Sequence, residues 1–425
     1  MELLNEFEKD NKISNNSSSI RLKKYLVLLI AIIIILIVII IFLAIFKRKK
    51  TVEEITQTEK VIEIVKVKID WNIYGTILYN LSYAHNGKII NTFKENGENY
   101  NESIGNINEG NDYDKSKRNI YNLFIPHSAL KNNDKNNGII LFIHGGNWDH
   151  GEKEYFNAFC KMYAQMGYIT ATMGYTLLKK DYKNYNIFRI LDEITACIQS
   201  IKEQLEKKGF QKEKLSIAIG GYSAGGHLTL LYTYLMTNSP IKVKFAINIC
   251  GLGSLEPKYF YKLAKFNDTL DDLYLPAIEE AIESKKIVKI MEDESGPLLY
   301  MNNFVGNKYS EEDLKEMVFE NNNTINENNP KYIELFNIVS NAFPFNIEDK
   351  NKVPTICVLG GNDDEVGVAQ FAYLNQKAEK DGKELIYVYS RYAGHDYLNF
   401  ETDDGILAMR EMNYQINNLS KLYFS

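Results

Sequence analysis

Cysteine is scarce in this sequence, and positive charge is not in excess. Four cysteines are spread over 425 residues, and no two of them form a CxxC pair. A disulfide framework is therefore not expected, and the sequence predicts buried thiols at Cys160, Cys197, Cys250 and Cys357. The formal net charge of −6 gives no reason to expect a nucleic acid as a partner.

A long stretch without charge, residues 25–46, stands out in a chain in which 24% of residues are charged. At about 1.5 Å per residue, a helix of this length spans the ~30 Å hydrocarbon core of a bilayer. Four basic residues follow it directly (47–50), which is typical of a retained anchor and not of a cleaved signal peptide. The sequence thus predicts a single-pass membrane protein, but similar numbers of basic residues on both flanks leave the orientation open.

The rest of the chain divides by composition around this apolar segment. Residues 1–24 are polar and are predicted to be a tail, and residues 47–60 are predicted to be a charged linker. Residues 61–425 have the balance of apolar and charged residues that is typical of a folded domain. The sequence does not indicate an oligomeric state.

Short apolar runs alternate with helical patterns in this domain, whereas residues 91–119 are polar and are predicted to be a loop. Such alternation predicts a mostly parallel central sheet with helices on both faces, and ligands that bind at the carboxyl ends of the strands. The predicted strands are 119–126, 138–144, 168–175, 214–221, 243–251, 353–361 and 384–395, and the predicted helices are 155–166, 187–208 and 227–236.

The stretch GGYSAGGH, residues 220–227, lies between a predicted strand and a predicted helix. It contains the pattern G-x-S-x-G, in which the chain reverses so sharply that side chains two positions before and after Ser223 would clash. The turn exposes the serine hydroxyl and points the Ala224 N–H, at a helix start, toward whatever Ser223 attacks. A phosphate loop is the alternative, but neither G-x-x-x-x-G-K-[ST] nor G-x-G-x-x-G occurs.

A nucleophilic serine needs a base and an acid that orients the base. Of six histidines, His395 alone lies at the end of the last predicted strand, whereas His144, the first residue of the predicted HGGNW loop, is assigned a structural role. The loop after the preceding strand offers three acidic residues, Asp363, Asp364 and Glu365. Adjacent aspartates are typical of a solvated turn, an interpretation that we apply to Asp364.

The motifs IHGGNW, GYSAGGH, GGNDDEV and AGHD, in this order, resemble those of the α/β-hydrolase superfamily. More narrowly, they are similar to the hormone-sensitive-lipase-like esterases and the related carboxylesterase, kynurenine formamidase and isoprenylcysteine methylesterase group. The resemblance covers roughly residues 119–422. It implies a serine esterase with an acyl-enzyme intermediate and no metal or organic cofactor. Carried over to this chain, it makes Ser223 the nucleophile, His395 the base and Asp363 the acid, and it forms an oxyanion hole from the N–H groups of Gly146, Asn147 and Ala224.

Three positions depart from that pattern. Asn147 stands where the lipase-like members carry a third glycine, and the stretch MGYTL, 173–177, stands where an Asp-Tyr-Arg-like sequence is common. Gly367 stands where proline is usual, which leaves Asp364 as the alternative acid.

Residues 252–303 are rich in aromatic residues and are predicted to form a cap over the serine. Such a cap suits a small ester with an uncharged acyl or aryl group better than a polyanionic one. The alternatives are an amidase, formamidase or small peptidase on the same fold, and a catalytically inactive hydrolase fold that serves only in binding.

Overall fold

The computed structural model describes residues 100–106, 118–179, 185–264, 275–290, 293–390, 393–395 and 403–424. All of them lie in the second of the two units into which the chain divides, Val61–Ser425. The predicted tail (1–24), membrane helix (25–46) and linker (47–60) lie outside the described residues. Among the helices that are described, none is both long enough and apolar enough to span a bilayer.

Strands and helices alternate along the domain. The elements, in chain order, are β1 Tyr100–Asn106, β2 Ile120–Pro126, α1 His127–Lys131, β3 Asn137–Ile143, α2 Asn157–Gln165, β4 Ile169–Met173, α3 Ile187–Lys207, β5 Leu215–Tyr222, α4 Ala224–Leu235, β6 Lys242–Ile249, β7 Tyr261–Leu263, α5 Leu275–Glu283, β8 Ile287–Lys289, α6 Ser295–Phe304, α7 Glu311–Glu316, α8 Pro330–Val339, β9 Thr355–Gly360, α9 Ala369–Asp381, β10 Leu385–Ser390 and α10 Asp403–Phe424. Short 3₁₀ turns lie between some of these elements.

The described residues form an eight-stranded sheet in the order β1-β2-β4-β3-β5-β6-β9-β10. The pairs β1–β2 and β2–β4 are antiparallel, and the remaining pairs, from β4 to β10, are parallel. The prediction of a mostly parallel central sheet is confirmed. Because β5 lies in the middle of the order, the turn that follows it opens at the centre of the sheet's carboxyl edge.

Alternate residues of the central strands enter two separate apolar layers. On β3, Ile139 and Leu141 belong to the layer that includes α3 and α4, whereas Ile140 and Phe142 belong to the layer that includes α2 and α10. Each of these four side chains is fully buried. A parallel strand covered on both faces has this pattern, which explains why these strands are continuous apolar runs in the sequence.

The sequence prediction was wrong at the edge of the sheet. Residues 91–119 were expected to form a loop, but Tyr100–Asn106 is a strand that pairs antiparallel with β2, from Tyr100 opposite Pro126 to Asn106 opposite Ile120. An edge strand is held by main-chain hydrogen bonds to a single neighbour, and a polar sequence can make those bonds. Composition therefore did not reveal it.

The connection from β6 to β9 is the longest insertion within the sheet. It carries α5 to α8 and a small antiparallel pair, β7–β8, in which Tyr261 is opposite Lys289. The predicted cap, 252–303, corresponds to its first half.

The four cysteines are buried and form no disulfide, as predicted.

Candidate active site

Ser223 lies in the turn between β5 and α4, with φ of 52° and ψ of −119°. This backbone conformation is sparsely populated for a residue with a side chain. A Cβ atom at Gly221 would lie 2.2 Å from the carbonyl oxygen of Gly225, and one at Gly225 would lie 2.1 Å from that of Ile143. The turn can therefore form only with glycine at both places, which is the steric requirement that the sequence pattern indicates.

The structure brings the three predicted site residues together at the carboxyl edge of the sheet. His395, after β10, has Nε2 2.9 Å from Ser223 Oγ and Nδ1 2.9 Å from Asp363 Oδ2. All three side chains are buried, and Asp363 is completely so. Since Asp363 can only accept, the neutral imidazole carries its proton on Nδ1 and presents the Nε2 lone pair to the serine hydroxyl.

The loop after β9 holds Asp363 in this position. The second carboxylate oxygen, Oδ1, accepts the backbone N–H groups of Glu365 and Val366, each at 2.9 Å. Asp364 is exposed and the structure pairs His395 with Asp363 instead. Glu365 Oε2 lies 3.4 Å from His395 Nε2, a contact that was not predicted from the sequence.

The loop after β3 has an unusual backbone. Gly146, Asn147 and Trp148 have φ values of 112°, 47° and 62°, so three successive residues lie in the left-handed region. The amides of Asp149 and His150 donate to the Gly146 carbonyl at 3.1 and 2.9 Å and hold the turn. Among the described residues, none accepts a hydrogen bond from the amides of Gly146, Asn147 or Ala224. These three donors are therefore available to a ligand.

Trp148 holds the same loop in place through a buried hydrogen bond. Its indole N–H donates to His227 Nδ1 at 3.2 Å, and His227 Nε2–H in turn donates to the Ala342 carbonyl at 2.8 Å. Burial lowers the pKa of His227 to about 4, so this histidine is neutral at physiological pH and able to accept. The Trp148 ring is 2% exposed and stands edge-on to Phe304, with centroids 4.7 Å apart. Trp148 is thus a packing residue that also carries a buried hydrogen bond.

His144 has the structural role that the sequence analysis assigned to it. Its Nδ1 is 2.7 Å from the Gly145 carbonyl, and its ring stacks on Tyr175 with centroids 4.2 Å apart. Burial lowers its pKa to about 4.

Tyr222 makes a contact to the site that was not predicted from the sequence. Its hydroxyl donates to the backbone carbonyl of His395 at 3.0 Å, across 173 residues of sequence.

One group of potential metal ligands overlaps this site. The ligand atoms of Cys250, Asp363 and His395 all lie within 4.8 Å of one another. The two ring nitrogens of His395 already face Asp363 and Ser223, so a metal ion could use His395 only by displacing one of them. The donor set therefore fits the serine arrangement better than a metal centre.

The strand order and the strand-turn-helix around Ser223 define an α/β-hydrolase fold. The family model BD-FAE matches residues 128–378, more than half of the chain, and the chain belongs to this family. The predicted assignment to the α/β-hydrolase superfamily and its carboxylesterase group is thereby confirmed, and with it the class of carboxylic ester hydrolases.

Solved esterase structures show a distant similarity to this chain. Esterase B from Lactobacillus rhamnosis is 14% identical over 83% of this chain and 97% of its own, with a TM-score of 0.49. A bacterial heroin esterase is 15% identical over 82% and 92%, with a TM-score of 0.49. Esterase 2 of Thermogutta terrifontis is 14% identical over 76% and 94%, with a TM-score of 0.47. No curated protein matches the chain.

Proposed function

We propose that this protein hydrolyses carboxylic esters with Ser223 as nucleophile, His395 as general base and Asp363 as the acid that orients the base. The observation that carries the proposal is the unbroken series of contacts from Ser223 Oγ through the imidazole to Asp363, with both distances at 2.9 Å. Three protein segments that are far apart in sequence supply these groups. A binding protein without catalytic activity has no need of such alignment.

In the proposed first half-reaction, Ser223 Oγ attacks the ester carbonyl carbon while His395 Nε2 takes the hydroxyl proton. The carbonyl oxygen becomes an oxyanion that the amides of Gly146, Asn147 and Ala224 stabilise, since no described residue accepts from them. The bond to the alcohol oxygen then breaks, and His395 gives its proton to the departing alcohol. The acyl group remains on Ser223.

In the second half-reaction, water attacks the acyl-enzyme and His395 takes the water proton. The tetrahedral species collapses, Ser223 Oγ leaves and recovers the proton from His395, and the carboxylic acid is released. Asp363 stays ionised throughout and stabilises the imidazolium that forms twice in the cycle. Two backbone amides on its other oxygen keep it in place.

The proposed substrate is a small ester with an uncharged acyl or aryl group. Uncharged aromatic residues stand near the Gly145–Trp148 loop, where Trp148 contacts Tyr300 and Phe304.

Residues 25–46 are proposed to anchor the chain in a membrane by one helix, on the basis of their length and lack of charge.

The test is a series of p-nitrophenyl esters of increasing acyl length and the matching p-nitroanilides, with the Ser223→Ala variant as control. The proposal predicts turnover of short-chain esters, at least about a hundredfold weaker turnover of anilides, and loss of activity in the variant. Preferential cleavage of the anilides would support the amidase alternative. Absence of turnover with every substrate would support the inactive binding protein.

A further inference from the structure

A second carboxylate approaches the imidazole of His395 from the side opposite Asp363. Glu365 Oε2 lies 3.4 Å from Nε2, the same nitrogen that contacts Ser223 Oγ at 2.9 Å. The Glu365 side chain is 59% exposed, whereas Asp363 is fully buried. One carboxylate therefore supports the ring from within the protein, and the other stands in solvent beside the reacting nitrogen.

The position of Glu365 determines which half of an ester it meets. In the proposed reaction, Nε2 passes its proton to the oxygen of the departing alcohol, so that oxygen must come within about 2.6–3.2 Å of Nε2. A carboxylate that already lies 3.4 Å from Nε2 then adjoins the alcohol half of the substrate. The acyl carbon is held between Ser223 and the backbone amides, so its substituent is not constrained by Glu365.

Among the described residues, no basic side chain neutralises the charge of Glu365. No Lys or Arg in the described part of the chain forms an ion pair with it, and the ring of His395 that it contacts is neutral in the resting site. Asp149, another acidic residue near the site, pairs instead with His150 at 2.6 Å. An incoming cation would therefore meet an available carboxylate at Glu365.

The charge of the same carboxylate acts on an aromatic side chain of the site. Burial raises the pKa of Tyr300, and the negative charges of Asp149 and Glu365 raise it further, which indicates that both carboxylates act on its phenol. The Tyr300 ring stands edge-on to Trp148, with centroids 5.7 Å apart. A carboxylate and aromatic rings in one site are a combination that favours organic cations over neutral or anionic groups.

We propose that Glu365 is a specificity determinant that favours esters whose alcohol half carries a positive charge, such as a quaternary ammonium group, over esters of neutral or anionic alcohols. The inference rests on the proposed function and adds to it the chemistry of the alcohol half. It leaves the acyl half uncharged.

The test uses two esters of the same shape, acetylcholine and its uncharged carbon analogue 3,3-dimethylbutyl acetate. The measured quantity is the ratio of their kcat/KM values, and its change on mutation cancels the intrinsic difference in reactivity. Glu365→Gln lowers the ratio about threefold to fivefold at low ionic strength, the size expected for a half-exposed charge pair with an aromatic contribution. Asp364→Asn, the exposed neighbour, changes both rates by less than about threefold and leaves their ratio unchanged.

Two further measurements keep the outcome unambiguous. Glu365→Lys lowers the ratio beyond the Gln variant, and raising the salt concentration lowers it in the wild type but not in Glu365→Gln. An equal ratio in wild type and Glu365→Gln overturns the inference while the proposed esterase function stands. If the wild type hydrolyses neither ester nor any p-nitrophenyl ester, the proposed function fails and the inference fails with it.

Discussion

Strands β9 and β10 have a buried carboxylate paired with a basic side chain at each end, and the two pairs differ in what surrounds them. Before the strands begin, Lys383 Nζ lies 2.9 Å from Asp349 Oδ2, and both side chains are fully buried. After the strands end, His395 Nδ1 lies 2.9 Å from Asp363 Oδ2. The distances are equal, but Ser223 and Glu365 stand beside the second pair, on the Nε2 side of its histidine.

The pair of Lys383 and Asp349 is surrounded by other groups of the protein. Lys383 stands 4.1 Å above the Tyr234 ring centroid, and Asp349 Oδ1 accepts the backbone amides of Asn351 and Lys352. Burial lowers the pKa of Lys383, although the Asp349 charge opposes that shift. A buried carboxylate paired with a basic side chain is therefore not in itself a sign of catalysis. What distinguishes the pair at the carboxyl edge is a third group, the Ser223 hydroxyl, on the free side of its histidine.

The largest expected effect is a loss of activity when the pair of Asp363 and His395 is disrupted. Asp363→Asn removes the charge that holds the Nδ1–H tautomer of His395 and is expected to lower kcat about 10⁴-fold, with little change in stability. The matched variant Asp364→Asn, one residue away and exposed, is expected to lower kcat less than about threefold. Steady-state kinetics on a p-nitrophenyl ester measures both. The reverse ranking would transfer the acid role to Asp364.

The pair of Lys383 and Asp349 is expected to contribute to stability and not to activity. Lys383→Met leaves Asp349 buried without its cation and is expected to lower the free energy of unfolding by about 3–5 kcal/mol. Lys308→Met, which removes an exposed ion pair to Glu334, is expected to cost less than about 1 kcal/mol. Urea unfolding measures both variants. A loss of kcat in folded Lys383→Met as large as in Asp363→Asn would erase the distinction between the two pairs.

A smaller effect is expected from substitution of Trp148, which packs against the site loop. Trp148→Phe keeps an aromatic ring but leaves His227 Nδ1 buried without its donor, which is expected to cost about 1–3 kcal/mol of stability. Because the same loop carries Gly146 and Asn147, kcat is expected to fall about tenfold through misplacement of their amides. Thermal unfolding and kinetics of the same sample test this. Unchanged values for both would mean that the indole hydrogen bond does not hold the loop.

The smallest effect is expected from removal of residues 1–60. A chain that begins at Val61 keeps every motif of the site and is expected to be soluble and to hydrolyse short-chain esters with unchanged kcat/KM. Its turnover of esters embedded in vesicles is expected to fall, because an anchor raises the local concentration of enzyme at a membrane. Aggregation of the shortened chain, or loss of activity on soluble esters, would show that residues 1–60 do more than tether.

The sequence predicted the parts of the site that follow from local sterics. The close contacts at Gly221 and Gly225 arise within a few residues of Ser223, so the pattern G-x-S-x-G is enough to reveal them. The short apolar runs, which alternate with helical patterns, likewise indicated seven strands of the sheet near their observed places. β1 was missed because its place in the sheet depends on main-chain pairing with β2 and not on apolar side chains.

Contacts between distant segments could not be predicted in the same way. Trp148 and His227 are 79 residues apart, and nothing in either motif indicates that the indole N–H and the imidazole meet. The choice of Asp363 over Asp364 depended on which carboxylate turns inward, and the proximity of Glu365 to His395 depends on how two loops pack. Those relations are properties of the folded chain.

The central claim is that Ser223 is the nucleophile, and covalent labelling tests it most directly. The full chain is treated with a fluorophosphonate, digested, and searched by mass spectrometry for the modified peptide, with Ser223→Ala treated in parallel. We expect one phosphonylated serine, Ser223, with loss of ester turnover in proportion to labelling and no label in the variant. Stoichiometric label on another residue, or an unlabelled protein that still hydrolyses esters, would contradict it.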